Sequence, residues 1–259
     1  MKKKWWMTAG VLLVCVGLVC GGVGLKKYLD GKHAGNDYDK LKEQVAVEEP
    51  PIQEETPAEE TIEKEPVNIP VDFEKLQKKC PDIYAWICIP GTGIDYPVVQ
   101  REGDNSYYLD HTIEGKKKAE GAIFTEDYNR KDFEDPHTVI YGHNMRNGSM
   151  FQQLHKFADR KFFKENEEVL IYQPEKIFHY QIFAAYVYDD RHLMLSFDCN
   201  DKEVYEDYLD SIFEQRGMSV NVNDDVEVTA DDRIITLSTC NANDNERYLV
   251  QAVLVSIEE

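Results

Sequence analysis

The chain has 259 residues, with 49 Asp or Glu against 29 Lys or Arg, for a net charge of −20. An acidic excess of that size argues against nucleic acid as a partner, because phosphate backbones are bound by basic surfaces. Hydrophobic residues make up 42% of the chain, enough for one domain with a sizeable core.

The N-terminus opens with Met1-Lys2-Lys3-Lys4, followed by an uncharged run from Trp5 to Leu25 and then Lys26-Lys27. As a helix, that run is long enough to cross ~30 Å of hydrocarbon. Trp5 and Trp6 stand where an interfacial aromatic belt belongs, and the leading lysines favour a cytoplasmic N-terminus. Residues 1–27 therefore read as a membrane anchor, with the rest of the chain outside the cell. The competing reading is a cleaved signal peptide. Gly21-Gly22-Val23-Gly24 is rich in small residues but lacks the A-x-A-like cleavage pattern. Cys15 and Cys20 each follow Val and read as apolar cysteines of the span.

Residues 28–70 read as an acidic stalk. Glu and Pro dominate from about Lys40: Glu48-Glu49-Pro50-Pro51, Glu54-Glu55-Thr56-Pro57, Glu59-Glu60 and Glu65-Pro66. Low hydrophobicity with high like charge does not offset chain entropy, so an extended, self-repelling spacer is expected. An acidic partner-binding tract is the alternative.

Residues 71–259 read as the folded domain. Asp72 caps a short helix through Phe73 and Leu76. Strands are expected over Tyr84 to Ile89 and Ile94 to Val99, separated by the turn Pro90-Gly91-Thr92-Gly93. Gly121 to Thr125, Thr138 to Gly142, Val169 to Gln173 and Ile177 to Tyr188 continue the β pattern. Ser149 is placed to cap a helix through Met150, Leu154 and Phe157. Asn200 to Gln215 carries an apolar face of Val204, Tyr205, Tyr208, Leu209, Ile212 and Phe213, with Asp201 or Asn200 as cap. Arg233 to Leu237 and Tyr248 to Ile257 are the last strands. Many short strands with no βαβ alternation predict a mainly β fold, a barrel with helical insertions.

Four of the six cysteines lie in this domain: Cys80, Cys88, Cys199 and Cys240. Their spacing forms neither a disulfide framework nor a zinc site. Free thiols are the reading for Cys80, Cys88 and Cys199, with a Cys80–Cys88 bridge as the alternative. The acidic stretches Asn223-Asp224-Asp225 and Asp231-Asp232 lack an EF-hand pattern and read as solvated loops.

Chemistry concentrates at the ends of strands. Thr236-Leu237-Ser238-Thr239-Cys240 leaves a β-rich run, Arg247 follows seven residues later, and Tyr141-Gly142-His143-Asn144-Met145 leaves another. A thiol is a strong nucleophile once a neighbouring base or cation favours its thiolate. Imidazole titrates near neutrality and exchanges protons with amines. Guanidinium stays charged and offers donors in a fixed fork to a developing oxyanion. His155 sits within the helical pattern and reads as a surface residue, and the remaining histidines match no motif.

The TLSTC form, the stretch Tyr141-Gly142-His143-Asn144-Met145-Arg146-Asn147-Gly148-Ser149-Met150-Phe151 and Gly121-Ala122-Ile123-Phe124 resemble the class B branch of the sortases. The resemblance runs from about Val71 to the C-terminus. It implies an eight-stranded barrel with an N-terminal helix and a helix ahead of the cysteine-bearing strand. It also implies that Cys240 attacks the Thr carbonyl of a sorting motif near the C-terminus of secreted proteins. His143 would serve as acid/base and Arg247 as stabiliser, and an amine of peptidoglycan or its lipid-linked precursor would resolve the thioacyl enzyme. Ser238, Asn105 and Leu109 match substrate-groove positions. Where class B sequences can carry an acid after the cysteine, this chain has Asn241. The implied chemistry calls for no cofactor and no metal. Two other readings stay open: a surface cysteine peptidase releasing products to water, and a non-enzymatic binding domain on a stalk.

Overall fold

The computed structural model describes residues 37–47, 67–241, 243 and 245–259. The expected membrane anchor, 1–27, and most of the expected stalk lie outside the described residues. Among the described residues, no helix is long and apolar enough to cross a membrane.

Among the described residues, nine strands form the sheet: β1 (Ile83–Cys88), β2 (Asp95–Val99), β3 (Ile123–Thr125), β4 (His137–Tyr141), β5 (Glu168–Gln173), β6 (Lys176–Asp189), β7 (Asn221–Val222), β8 (Ile234–Cys240) and β9 (Glu246–Glu258). Their order is β5-β1-β2-β3-β4-β8-β9-β6-β7, and β5 also pairs with β6. That extra pairing closes eight strands into a barrel and leaves β7 as a short appendage on β6. Closure removes the unpaired edges that an open sheet would present. The barrel is mixed, because β2–β3 and β4–β8 are parallel while the other neighbours are antiparallel.

Burial explains why the strands read as almost continuous apolar runs. One face of β8 and β9 (Ile235, Leu237, Tyr248, Val250, Ala252) lines the barrel interior. The other face (Ile234, Leu249, Val253) packs under α5 (Lys202–Phe213) through Tyr205, Tyr208, Leu209 and Ile212. A strand covered on both sides loses its polar alternation. Each of the fully buried aliphatic side chains contributes about 1.5–3 kcal/mol of apolar transfer free energy. The α5 cap is Asp201, whose carboxylate accepts from the Glu203 and Val204 amides. Val204, expected on the apolar face, is instead partly exposed.

The structure departs from the sequence expectation in three ways. The helix expected after Ser149 is a 3-10 segment over Phe151–Ala158, entered through Met150 at φ 56° with no side-chain cap. The Ser149 hydroxyl donates to Asn147 Oδ1 (2.7 Å) instead of capping. Phe151, Leu154 and Phe157 are all buried, and their spacing of three suits a 3-10 repeat. Two short helices, α3 (Arg160–Glu165) and α4 (Leu193–Ser196), follow as unanticipated elements.

The third departure lies in the range read as stalk. Residues 37–45 form a helix, α1, and pack on the barrel through Tyr38, Leu41 and Val45. Tyr38 donates to the Gly121 carbonyl (3.2 Å), Lys42 pairs with Asp95 (3.5 Å), and Ala46 bridges to Val71. The extended reading holds no longer for 37–47, because three apolar side chains at helical spacing find a surface to bury against. Next comes α2 (Phe73–Lys79), capped as expected by Asp72, which accepts from the Lys75 amide.

Candidate active site

The site forms where β4 and β8 end and β9 begins. In the parallel β4–β8 register Tyr141 faces Ser238, and the last ladder bond runs from the Gly142 amide to the Ser238 carbonyl (3.1 Å). In the antiparallel β8–β9 register Cys240 faces Arg247. The strand pairing therefore places the thiol and the guanidinium on adjacent strands, with the His143 segment on the other side of β8. Cys240 is the last residue of β8 and is exposed.

His143 is set by two close approaches. A Cβ on Gly142 would lie 2.7 Å from the Phe151 ring and 2.5 Å from Ile123 Cδ1, so only glycine lets the chain turn there. The Phe151 amide donates to the His143 carbonyl (3.0 Å). The ring Nε2 lies 2.6 Å from the Leu109 carbonyl. A carbonyl only accepts, so Nε2 carries the ring proton and Nδ1 is the nitrogen left to receive another. Leu109 thus touches the site through its backbone carbonyl, and the residue is 47% exposed. The turn that carries it depends on Gly121, at φ 55°, where a Cβ would meet the Tyr108 carbonyl oxygen at 2.2 Å.

The other expected positions are distributed around this centre. Ser238 is buried two residues before the thiol. The Asn105 side chain accepts from the Asp127 amide (2.8 Å), closing a loop on Asp127, whose carboxylate in turn accepts from the Gly103 amide (2.8 Å). Arg247 donates to the Glu246 carbonyl (3.0 Å). Asn241 donates to the Glu246 carboxylate (2.8 Å), and its amide to the Glu246 carbonyl (3.1 Å), pinning the loop between thiol and arginine.

Two residues that sequence reasoning passed over also reach the thiol's segment. Asn144 donates from Nδ2 to the Cys240 carbonyl (3.0 Å), and His155 Nε2 lies 3.2 Å from the same oxygen. The His155 ring packs on Tyr248, centroid to centroid 4.9 Å. Burial holds His155 below the usual histidine range, so it is neutral at pH 7. Cys88 and Cys199 are less exposed than Cys240. Burial pushes Cys88 up to about 11 and Cys199 up to about 12, which keeps both protonated.

A family model described as Sortase domain matches residues 87–255. The chain belongs to the sortase family. It is 35% identical over 188 residues to sortase B of Listeria monocytogenes, covering 71% of this chain and 73% of that one. Among solved structures, Clostridium perfringens sortase B superposes with a TM-score of 0.64 at 34% identity, covering 71% of this chain and 100% of that one. Bacillus anthracis sortase B in complex with AAEK1 superposes with a TM-score of 0.71 at 27% identity, covering 88% of this chain and 99% of that one. The eight-stranded mixed barrel is the architecture these sortases share with it. Sortases are cysteine transpeptidases that anchor surface proteins, and the sortase described here is an enzyme of that class.

Proposed function

We propose that this sortase uses Cys240 as nucleophile, His143 as acid/base and Arg247 as oxyanion stabiliser. The carrying observation is the strand register that sets Cys240 opposite Arg247 and beside the segment after β4. Cys240 passes its thiol proton to His143 Nδ1, and the thiolate attacks the Thr carbonyl of an Asn-Pro-x-Thr-like sorting motif near the C-terminus of a secreted protein. A C–S bond forms, and the negative charge on oxygen is met by the Arg247 fork. The C–N bond then breaks as His143 gives its proton to the leaving amine. An amine of peptidoglycan or its lipid-linked precursor attacks the thioester, returns a proton to His143 and leaves a new amide with the thiolate restored. The sequence is redox-neutral and consumes no nucleotide. Ser238, Asn105 and Leu109 flank the path of the peptide.

In this reading the apolar run of residues 1–27 holds the enzyme in the cell membrane, N-terminus inside and barrel outside. Its support is the hydropathy and flanking lysines of that run.

The test is amine dependence. The full-length chain in detergent is incubated with a pool of Asn-Pro-x-Thr peptides, with and without a peptidoglycan-like amine, and products are weighed by mass spectrometry. The expected result is an amide-linked product at the amine's expense of hydrolysis. Hydrolysis alone at every amine concentration would favour the peptidase reading.

A further inference from the structure

The thiol's own peptide group is held in an unusual way. Along the β4-facing edge of β8, carbonyl oxygens of alternate residues should be met by β4 amides. The Gly142 amide meets the Ser238 carbonyl (3.1 Å), and the next oxygen on that edge belongs to Cys240. β4 has ended by then, at Tyr141. Asn144, two residues after Gly142, meets that oxygen with its side-chain amide (3.0 Å). A side chain thus continues the ladder one step past the strand.

His155 completes the arrangement from the 3-10 segment. Its Nε2 lies 3.1 Å from Asn144 Nδ2 and 3.2 Å from the Cys240 oxygen. The two hydrogens of Asn144 Nδ2 can serve the Cys240 oxygen and the Nε2 lone pair together, which puts the imidazole hydrogen on Nδ1. On the other side of the same peptide, the Asn241 amide donates to the Glu246 carbonyl (3.1 Å). The plane that follows Cys240 is therefore fixed at both its oxygen and its nitrogen.

We propose that Asn144 and His155 are positioning residues: Asn144 clamps the Cys240 carbonyl, His155 holds the Asn144 amide in that pose, and together they tie the thiol to the segment that carries His143. Asn144 is the neighbour of His143 in the chain, so one side chain spans the two halves of the site. Its own backbone is fixed by a bridge to Met150, and the His143 carbonyl accepts from Phe151 (3.0 Å). Small displacements of reacting groups are costly, so an ordered thiol matters to the rate. This inference rests on the proposed role of Cys240 and deepens it.

The test is the rate at which iodoacetamide alkylates Cys240 in the full-length chain at pH 7, followed by peptide mapping. The rate reads thiolate fraction and access together. Asn144→Ala and His155→Ala are expected to slow it fivefold or more. His155→Gln, whose amide oxygen can accept from Asn144, is expected to restore it to within twofold of the parent. A purely structural loss would loosen the segment, expose the thiol and speed alkylation, so an equal or faster rate in both alanine variants overturns the proposal. Should Asn144→Ala lose its cooperative unfolding transition, the His155 pair decides: equal rates for Ala and Gln overturn it, and rescue by Gln supports it. With the fastest substrate of the peptide pool, the clamp predicts a fall in kcat at nearly constant KM. A Cys240→Ala control separates the two levels. If that variant still processes peptide, the nucleophile assignment fails; if it is inactive while Asn144→Ala and His155→Ala alkylate normally, only the clamp fails.

Discussion

At the scale of single residues, Arg247 and Gly142 make the sharpest claims. An oxyanion donor of the Arg247 type contributes about 2.7–4 kcal/mol to transition-state stabilisation, or 10²–10³ in kcat. Arg247→Ala is expected to lose that much in steady-state peptide cleavage. Arg247→Lys is expected to recover only a minor part, because an ammonium lacks the planar fork. Gly142→Ala would force Phe151 and Ile123 aside by contacts below 3 Å. Cleavage should fall at least tenfold while the thermal midpoint moves by only a few degrees. The placing of Cys240, His143 and Arg247 beside the ends of neighbouring strands was legible in the sequence, because each borders a recognisable strand run; their chemical roles are the proposal made above. Asn144 and His155 were not. The Cys240 carbonyl that both approach lies 96 and 85 residues away in the chain, and a backbone oxygen leaves no mark on a sequence.

At the scale of elements, α1 is the most informative surprise. The Glu/Pro content of the surrounding range masked a stripe of Tyr38, Leu41 and Val45, which was visible at helical spacing. Leu41 is buried, and Leu41→Ala should cost about 2–3 kcal/mol, read as a shift of the urea midpoint at unchanged slope. The helix also leans on the turn behind the site. Tyr38 holds the Gly121 carbonyl, the Ala122 amide holds the Tyr108 carbonyl (3.0 Å), and the next carbonyl, Leu109, meets His143. The 3-10 segment teaches a different lesson. Its apolar spacing fits both an α-helix and a 3-10 helix at the level of three residues. What decides is Met150 at positive φ and Ser149 turned toward Asn147, and neither can be read before the fold exists.

At the scale of the whole molecule, the barrel was legible as a class, from short strands without βαβ alternation, but its closure was not. Closure depends on the β5–β6 hairpin also reaching β1, and the parallel β4–β8 pair brings together strands far apart in sequence. Behind the site, a buried polar network joins sheet and α5. Gln251 donates to Tyr208 (2.7 Å) and Thr236 (2.9 Å), and His137 Nε2 lies 2.7 Å from the Thr236 hydroxyl. Burial alone drives His137 down to about 3, against an ordinary value of 6.5. Between those values the unfolded chain binds a proton that the native chain refuses. Stability therefore falls as pH falls from 6.5 toward 3, by at most about 1.4 kcal/mol per pH unit from this one group. Urea unfolding at pH 7, 6 and 5 should show that slope, and His137→Gln should flatten it.

The central claim is a covalent intermediate on one thiol. The most direct measurement is intact-mass spectrometry of the full-length chain in detergent, mixed with the Asn-Pro-x-Thr peptide pool and no added amine, beside Cys240→Ala. The account predicts an acyl adduct that maps to Cys240, is absent from the alanine variant and disappears when a peptidoglycan-like amine is added. Peptide cleavage that persists in Cys240→Ala, or an adduct mapping to Cys80, Cys88 or Cys199, would contradict it.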